Sequence, residues 1–265
     1  MEQTIATIKQ QQMIAPATYE MILQLPQEAA LGHVRPGQFI NIKIDGYYLR
    51  RPISVCDWDP AAETITIIYK SVGGGTEAMS QMTAGQKLDI LWPLGNGYDL
   101  TGAQRPLLIG GGAGVPPMYG LCRKLTEAGN KPAVILGFRS GKDAFYLERF
   151  QTLGAKVLIT TEDGSTDING STDAKRFTTI KGFVTDAMSA LQAGDDYDSL
   201  YACGPEPMLR AVDAAAPEGI PGQLSFEERM GCGFGACMGC SCQTKYGAKR
   251  ICKDGPVLER SEIIW

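Results

Sequence analysis

Five of the eight cysteines, Cys232, Cys237, Cys240, Cys242 and Cys252, fall within 21 residues of a 265-residue chain. Four residues separate Cys232 from Cys237, two separate Cys237 from Cys240, and eleven lead on to Cys252. C-x4-C-x2-C followed by a distant fourth cysteine is the spacing of plant-type [2Fe–2S] sites. Two irons need four thiolates around them. The intervening backbone must donate hydrogen bonds to the sulfurs with no side chain in the way. Glycines at 231, 233, 235 and 239 in GCGFGACMGC meet that need. This reading makes Cys232, Cys237, Cys240 and Cys252 the ligands and leaves Cys242 spare. The alternative is zinc, but zinc knuckles open C-x2-C or close to it, and the longer glycine-rich step fits zinc less well.

A second constellation lies upstream. LRRPISV (49–55) sets two arginines before a strand. Arg51 suits the pyrophosphate of a flavin dinucleotide, and the Ser54 hydroxyl suits its ring or ribityl chain. In IYKSVGGGTEAMSQM (68–82), Tyr69 and Lys70 end a strand, and three glycines and Thr76 open a helix whose first amides suit phosphate. WPLGNGY (92–98) is a tight turn placed to close one side of a flavin pocket. Each piece is short, so their order and spacing carry the argument.

A third constellation is LLIGGGAGVPPMYGL (107–121), a strand entering a glycine run that opens a helix. Gly110, Gly111, Gly112 and Gly114 give the bare turn that a dinucleotide pyrophosphate needs, although the run is not a strict G-x-G-x-x-G. Pro116 and Pro117 suit the first helical turn. YACGPEPML (201–209) delivers Cys203 to the carboxyl edge of a sheet, where its small side chain would admit a nicotinamide. A buried cysteine with no role is the equal alternative. Glu162 and Asp163, after the strand KVLIT, are candidates for the adenosine ribose. His33 lies outside every motif.

These residues need elements to hold them. QFINIKI (38–44), TITIIYK (64–70) and KLDILWPL (87–94) read as short strands between turn signals, and predict an antiparallel β-barrel over residues 1–101. From 102 to 222 strand and helix patterns alternate, including a helix over TDAMSALQAG, and predict a Rossmann-like α/β domain with a parallel sheet. Residues 223–265 are too few for a large core and predict a small module stabilised by its metal centre. The polar segment 165–180 reads as a surface loop or excursion. A net charge of −4 argues against nucleic acid as a partner. No run approaches the roughly 18 apolar residues of a membrane span. Without a leader pattern, the expectation is a cytoplasmic protein with no membrane association and no disulfides.

Together RRPIS, the GGGT after YKSV, PLGNG, GGGAGVPP, CGPEPM, and EERMGCGFGACMGC with CKDGPV run in one order from residue 50 to 257. In this the chain is similar to the electron transfer subunits of type B dihydroorotate dehydrogenases, a branch of the ferredoxin reductase superfamily. The resemblance implies FAD contacts at Arg51, Pro52, Ile53, Ser54, Ile68, Tyr69, Lys70, Gly75 and Thr76, and cluster ligands at the four cysteines named above. It implies hydride exchange between NAD and FAD, with single electrons passing through the cluster. It implies a catalytic FMN-bearing partner in a heterotetramer of two subunits of each kind. A departure is the sixteen residues between TEDGS (161–165) and GFVTD (182–186), where relatives have few. Alternatives are a reductase subunit of a sulfide dehydrogenase, a transhydrogenase or a hydrogenase, and, from another class, a zinc-stabilised interaction module.

Overall fold

The computed structural model describes residues 1–27, 29, 31–169, 177–191 and 196–265. The chain forms two compact units. One comprises residues 1–98 and 228–257, the other residues 99–227 and 258–265.

The first unit is built on a closed barrel of β1 (Glu2–Ala15), β2 (Thr18–Gln24), β3 (Phe39–Ile42), β4 (Arg51–Asp59), β5 (Thr64–Lys70) and β6 (Lys87–Leu94), in the order β1-β2-β5-β4-β3-β6. All its pairings are antiparallel. β6 shows why the sequence folds this way. Leu88, Ile90, Trp92 and Leu94 are buried while the residues between them reach solvent, the period-2 pattern of a half-buried strand. The barrel is filled by Met21, Leu23, Ile40, Ile42, Ile65, Ile67, Ile90 and Trp92. β3, β5 and β6 match the expected strands. β4 begins at Arg51, so the RPIS motif lies inside the strand expected to follow it. β1 and β2 carry no clear strand signal. β1 is glutamine-rich and has two bulges, which break the alternation that reveals a strand. The short helix α1 (Gly74–Ser80) follows β5, as the glycine run predicts.

Residues 228–257 pack with this barrel. They carry the cysteines and a hairpin of β13 (Ser241–Thr244) and β14 (Gly247–Arg250). The PLGNG turn fastens them. The Asn96 amide donates to Gly255 O at 2.7 Å, its Nδ2 donates to Val257 O at 2.7 Å, and its Oδ1 accepts from the Val257 amide at 3.2 Å. The turn expected to close a flavin pocket therefore holds the cysteine segment, because Asn96 supplies both a donor and an acceptor there.

The second unit contains a seven-stranded sheet in the order β10-β9-β8-β7-β11-β12-β15. Its strands are β7 (Pro106–Gly111), β8 (Ala133–Phe138), β9 (Lys156–Thr161), β10 (Thr178–Lys181), β11 (Ser199–Cys203), β12 (Gly222–Ser225) and β15 (Val257–Glu259). The pairings from β10 to β12 are parallel. β7 and β11 are buried along their whole length, as strands covered on both faces must be. The helices are α2 (Val115–Glu127), α3 (Leu147–Thr152), α4 (Val184–Met188) and α5 (Glu206–Ala215).

Two expectations change in this unit. The helix predicted over TDAMSALQAG is confined to α4, and residues 192–195 lie outside the described residues. Segment 165–180 is not wholly a surface loop. Ile168 and Phe177 are buried, and Thr178–Lys181 forms the edge strand β10 beside β9. Residues 170–176 lie outside the described residues. Two threonines and a lysine hide this strand, since an edge strand needs only one apolar face. No helix among the described residues is long and apolar enough to cross a membrane.

Candidate functional site

The cysteine loop precedes β13, and its sulfurs meet in two pairs. The Cys237 amide donates to Cys232 Sγ at 3.5 Å, and the Cys232 amide to Cys237 Sγ at 3.5 Å. The Cys252 amide donates to Cys240 Sγ at 3.4 Å. Ala236 and Gly239 add amides to Cys232 Sγ at 3.2 Å and to Cys237 Sγ at 3.5 Å. A two-iron cluster takes two thiolates on each iron, and the two pairs fit that demand.

Burial pushes the Cys232 thiol up, but the amides of Cys237, Phe234 and Ala236 outweigh it and bring it down to about 6. A thiolate at neutral pH is what a metal ligand must be. Cys252 is pushed up to about 12, by burial first and then by Cys240 beside it, so here an iron must displace the proton. Gly233 and Gly235 have φ of +79° and +93°, and a Cβ at either would strike Asn41 or Lys253. Arg250 closes the loop. It donates from Nε to Asp254 Oδ2 at 2.9 Å and from Nη1 to Gly235 O at 2.8 Å. Cys242 sits on β13 opposite Lys249.

On the barrel, Arg51, Pro52, Ile53 and Ser54 open β4 and are all half-buried, a stretch of wall not fully covered by the chain's own side chains. The Arg51 guanidinium lies against Gly75, where a Cβ would collide with it, and sits 4.6 Å from the centre of the Tyr47 ring. The Tyr47 hydroxyl in turn lies where a Gly74 side chain would stand. The sequence reading missed Tyr47; its proximity to Arg51 in DGYYLRR was the available signal. This cationic, bare-backbone corner fits a phosphate-bearing group. Thr76 Oγ1 accepts from the amides of Val72 and Gly73 at 3.0 and 3.2 Å, so its hydroxyl shapes the turn. Ile68 and Tyr69 are buried and Lys70 is exposed. The Tyr69 hydroxyl donates to Gln11 Oε1 at 2.9 Å, and its ring stacks on Tyr19. Tyr69 is thus engaged within the barrel. Arg50, the other arginine of the motif, pairs with Asp89 at 2.9 Å.

In the second unit the order of strands reverses at β7, which has β8 on one side and β11 on the other. Such a switch point opens a crevice at the strands' carboxyl ends. Both nucleotide motifs end there and touch. A Cβ on Gly114 would strike the Cys203 carbonyl, and one on Gly111 would strike Met208 Sδ. Gly110 is closed by Val115, and Gly112 has φ of +53° with open space beside it. Pro116 and Pro117 lie in the first turn of α2, as expected. Cys203 is buried, and burial, followed by the Glu227 carboxylate, pushes its thiol up to about 12. It is a neutral wall at physiological pH, not a nucleophile.

Glu162 and Asp163 are exposed at the end of β9, which β8 separates from β7. The strand beside the glycine turn is followed instead by Arg139 and Ser140, and Ser140 Oγ donates to Asp143 Oδ2 at 3.0 Å. The two turns are tied together: the Asp163 amide donates to Arg139 O at 3.3 Å, and the Gly141 amide to Ser165 Oγ at 2.6 Å.

Residues 227–264 match the iron–sulfur cluster binding domain of dihydroorotate dehydrogenase B, and residues 108–214 match an oxidoreductase NAD-binding domain. A solved structure of an NADH-dependent reduced ferredoxin–NADP oxidoreductase, described for flavin-based electron bifurcation, superposes with a TM-score of 0.84. It is 28% identical, over 98% of this chain and 90% of that one. The dihydroorotate dehydrogenase B (NAD+) electron transfer subunit of Shouchella clausii is 41% identical over 97% of this chain and 96% of its own length. That of Enterococcus faecalis is 40% identical over 99% and 98%. With such identity along nearly its whole length, the chain belongs to the family of dihydroorotate dehydrogenase B electron transfer subunits.

Proposed function

We propose that this chain carries electrons between NAD(H) and a catalytic, FMN-bearing subunit that oxidises dihydroorotate to orotate in pyrimidine synthesis. FAD, when bound, exchanges a hydride with the nicotinamide and single electrons with a [2Fe–2S] cluster. The chain's own residues bind and orient. Arg51 holds phosphate at the Gly75 corner, and Pro52, Ile53, Ser54, Ile68, Tyr69, Lys70 and Thr76 belong to the same FAD-binding wall. Cys232 with Cys237, and Cys240 with Cys252, supply two thiolates to each iron. Gly110, Gly111, Gly112 and Gly114 leave backbone bare for the NAD pyrophosphate. Cys203 lines the nicotinamide end as a neutral thiol, and no side chain is needed as an acid or base.

The observation that carries this reading is the arrangement of four cysteines as two amide-lined pairs. We read the chain as three functional modules, residues 1–101 for FAD, 102–222 for NAD and 223–265 for the cluster. The complex is a cytoplasmic heterotetramer with two subunits of each kind. A transhydrogenase subunit is the second reading, and the 0.84 TM-score supports it. The 41% identity to dihydroorotate dehydrogenase subunits, against 28%, favours the first.

The test is anaerobic co-purification from the native host. FAD and FMN together, about two irons per copy of this chain and dihydroorotate-dependent NAD+ reduction are expected. Co-purification with a different catalytic subunit, and no dihydroorotate turnover, would overturn the proposal.

A further inference from the structure

Asn41 sits in the middle of β3 and is 1% exposed. Its backbone belongs to the flavin-binding side of the barrel. It pairs with Pro52 in the β3–β4 register, and its carbonyl accepts from Arg50 Nη1 at 3.3 Å. Its side chain points to the cysteine loop, where Nδ2 donates to the Cys232 carbonyl at 3.4 Å. Gly233 follows Cys232 in a left-handed conformation, and a Cβ there would collide with Asn41 Nδ2. No donor among the described residues reaches Asn41 Oδ1.

A carboxamide this deeply buried is costly, more so with one end unsatisfied. Nothing in the packing of a β-barrel requires it, since an apolar side chain fills such a position without burying polar atoms. The residue is accounted for if position matters more than stability. One side chain then joins the strand paired with the Arg-Arg-Pro-Ile-Ser motif to the first cysteine of the loop, with a bare glycine allowing the close approach.

We propose that Asn41 is a positioning residue for electron transfer: it fixes the Cys232 end of the cluster loop to the flavin-binding wall and so sets the placement and environment of the cluster relative to FAD. This rests on the FAD and [2Fe–2S] reading above. An electron leaving the reduced flavin is gained by the cluster, and Asn41 neither gains nor loses a proton or an electron.

The test uses the complete complex, purified anaerobically, with Asn41→Leu, which removes donor and acceptor while keeping the side chain's branching, and Asn41→Asp, which removes the donor at nearly the same shape and adds a charge when ionised. Three quantities are read: FAD and iron content, the electron paramagnetic resonance spectrum of the dithionite-reduced cluster, and the stopped-flow rate of cluster bleaching after NADH. We expect FAD to be retained, the spectrum to change, and bleaching to slow severalfold, because electron hopping falls off steeply with the separation of flavin and cluster. Loss of iron with FAD retained in both variants also supports the proposal, because the first ligand has then lost its anchor. A wild-type spectrum and a bleaching rate within about twofold of wild type in both variants would overturn it. So would joint loss of FAD and iron, which would make Asn41 a barrel residue only. Absence of FAD or iron from the wild-type complex would instead sink the functional reading itself.

Discussion

Single residues decide the chemistry, and the most exposed of the cluster cysteines is Cys237. Replacing it with serine exchanges a soft thiolate for a hydroxyl that stays protonated at neutral pH. Iron content is expected to fall to less than about half of wild type, as three remaining thiolates cannot complete the four-thiolate ligation of the cluster. Full iron and full electron delivery in C237S would refute the ligand assignment. Arg51 makes a comparable claim on FAD. A guanidinium–phosphate contact is worth about 1.5–3 kcal/mol, so R51A should weaken FAD binding roughly ten- to a hundredfold, measured by equilibrium dialysis of the flavin. Cys203 gives a reactivity test. Its raised pKa keeps the thiol protonated in the fold up to about 12, whereas an unfolded thiol ionises above its ordinary value of 9.0. Stability from this group is therefore full below pH 9.0 and lost as pH rises from there towards 12. At pH 8 iodoacetamide should leave Cys203 unlabelled in the native protein and label it after denaturation, as read by peptide mass spectrometry.

At the scale of elements, the end of the chain shows how a loop is held. Arg260 follows β15 and donates to the carbonyls of Asp213, Ala216, Pro217 and Ile220, and it also pairs with the Asp213 carboxylate. It caps the carboxyl end of α5, where four carbonyls lack helical partners and a cation is favoured. The Trp265 ring lies near Phe226 and Arg210 beside it. Removing the guanidinium leaves Asp213 and several carbonyls without their donor. R260A is expected to cost about 2–4 kcal/mol, measured by urea unfolding of the second unit. A value under about 0.5 kcal/mol would mean that water replaces the cation at no loss, as for ordinary surface pairs.

At the scale of the whole molecule, the cysteine segment has little core of its own and depends on its metal and on the barrel. Iron removal by a chelator under reducing conditions should therefore loosen residues 228–257 while the parallel sheet persists. Limited proteolysis is the measurement: new cuts are expected within 228–257, and cuts spread evenly over both units would contradict the coupling of metal binding to local folding. Part of this organisation was legible beforehand. β3, β5 and β6 announced themselves by alternation, and β7 with α2 by an apolar run entering glycines. β1, β2 and β10 did not, because bulges, glutamines and threonines blur the period on strands whose outer face meets solvent.

The sequence by itself determined the cysteine spacing, the glycine turns and the fold class. Ligand spacing and bare backbone are local properties, fixed by which residues follow one another. Only the tertiary structure decided what meets what. It set Asn41 against Cys232, Asn96 against Asp254–Val257, Tyr47 under Arg51, and Gly114 against Cys203. Apart from Tyr47 and Arg51, these pairs lie far apart along the chain. Their contact depends on strand order and register, which come from packing the whole chain and leave no period or motif in any one segment.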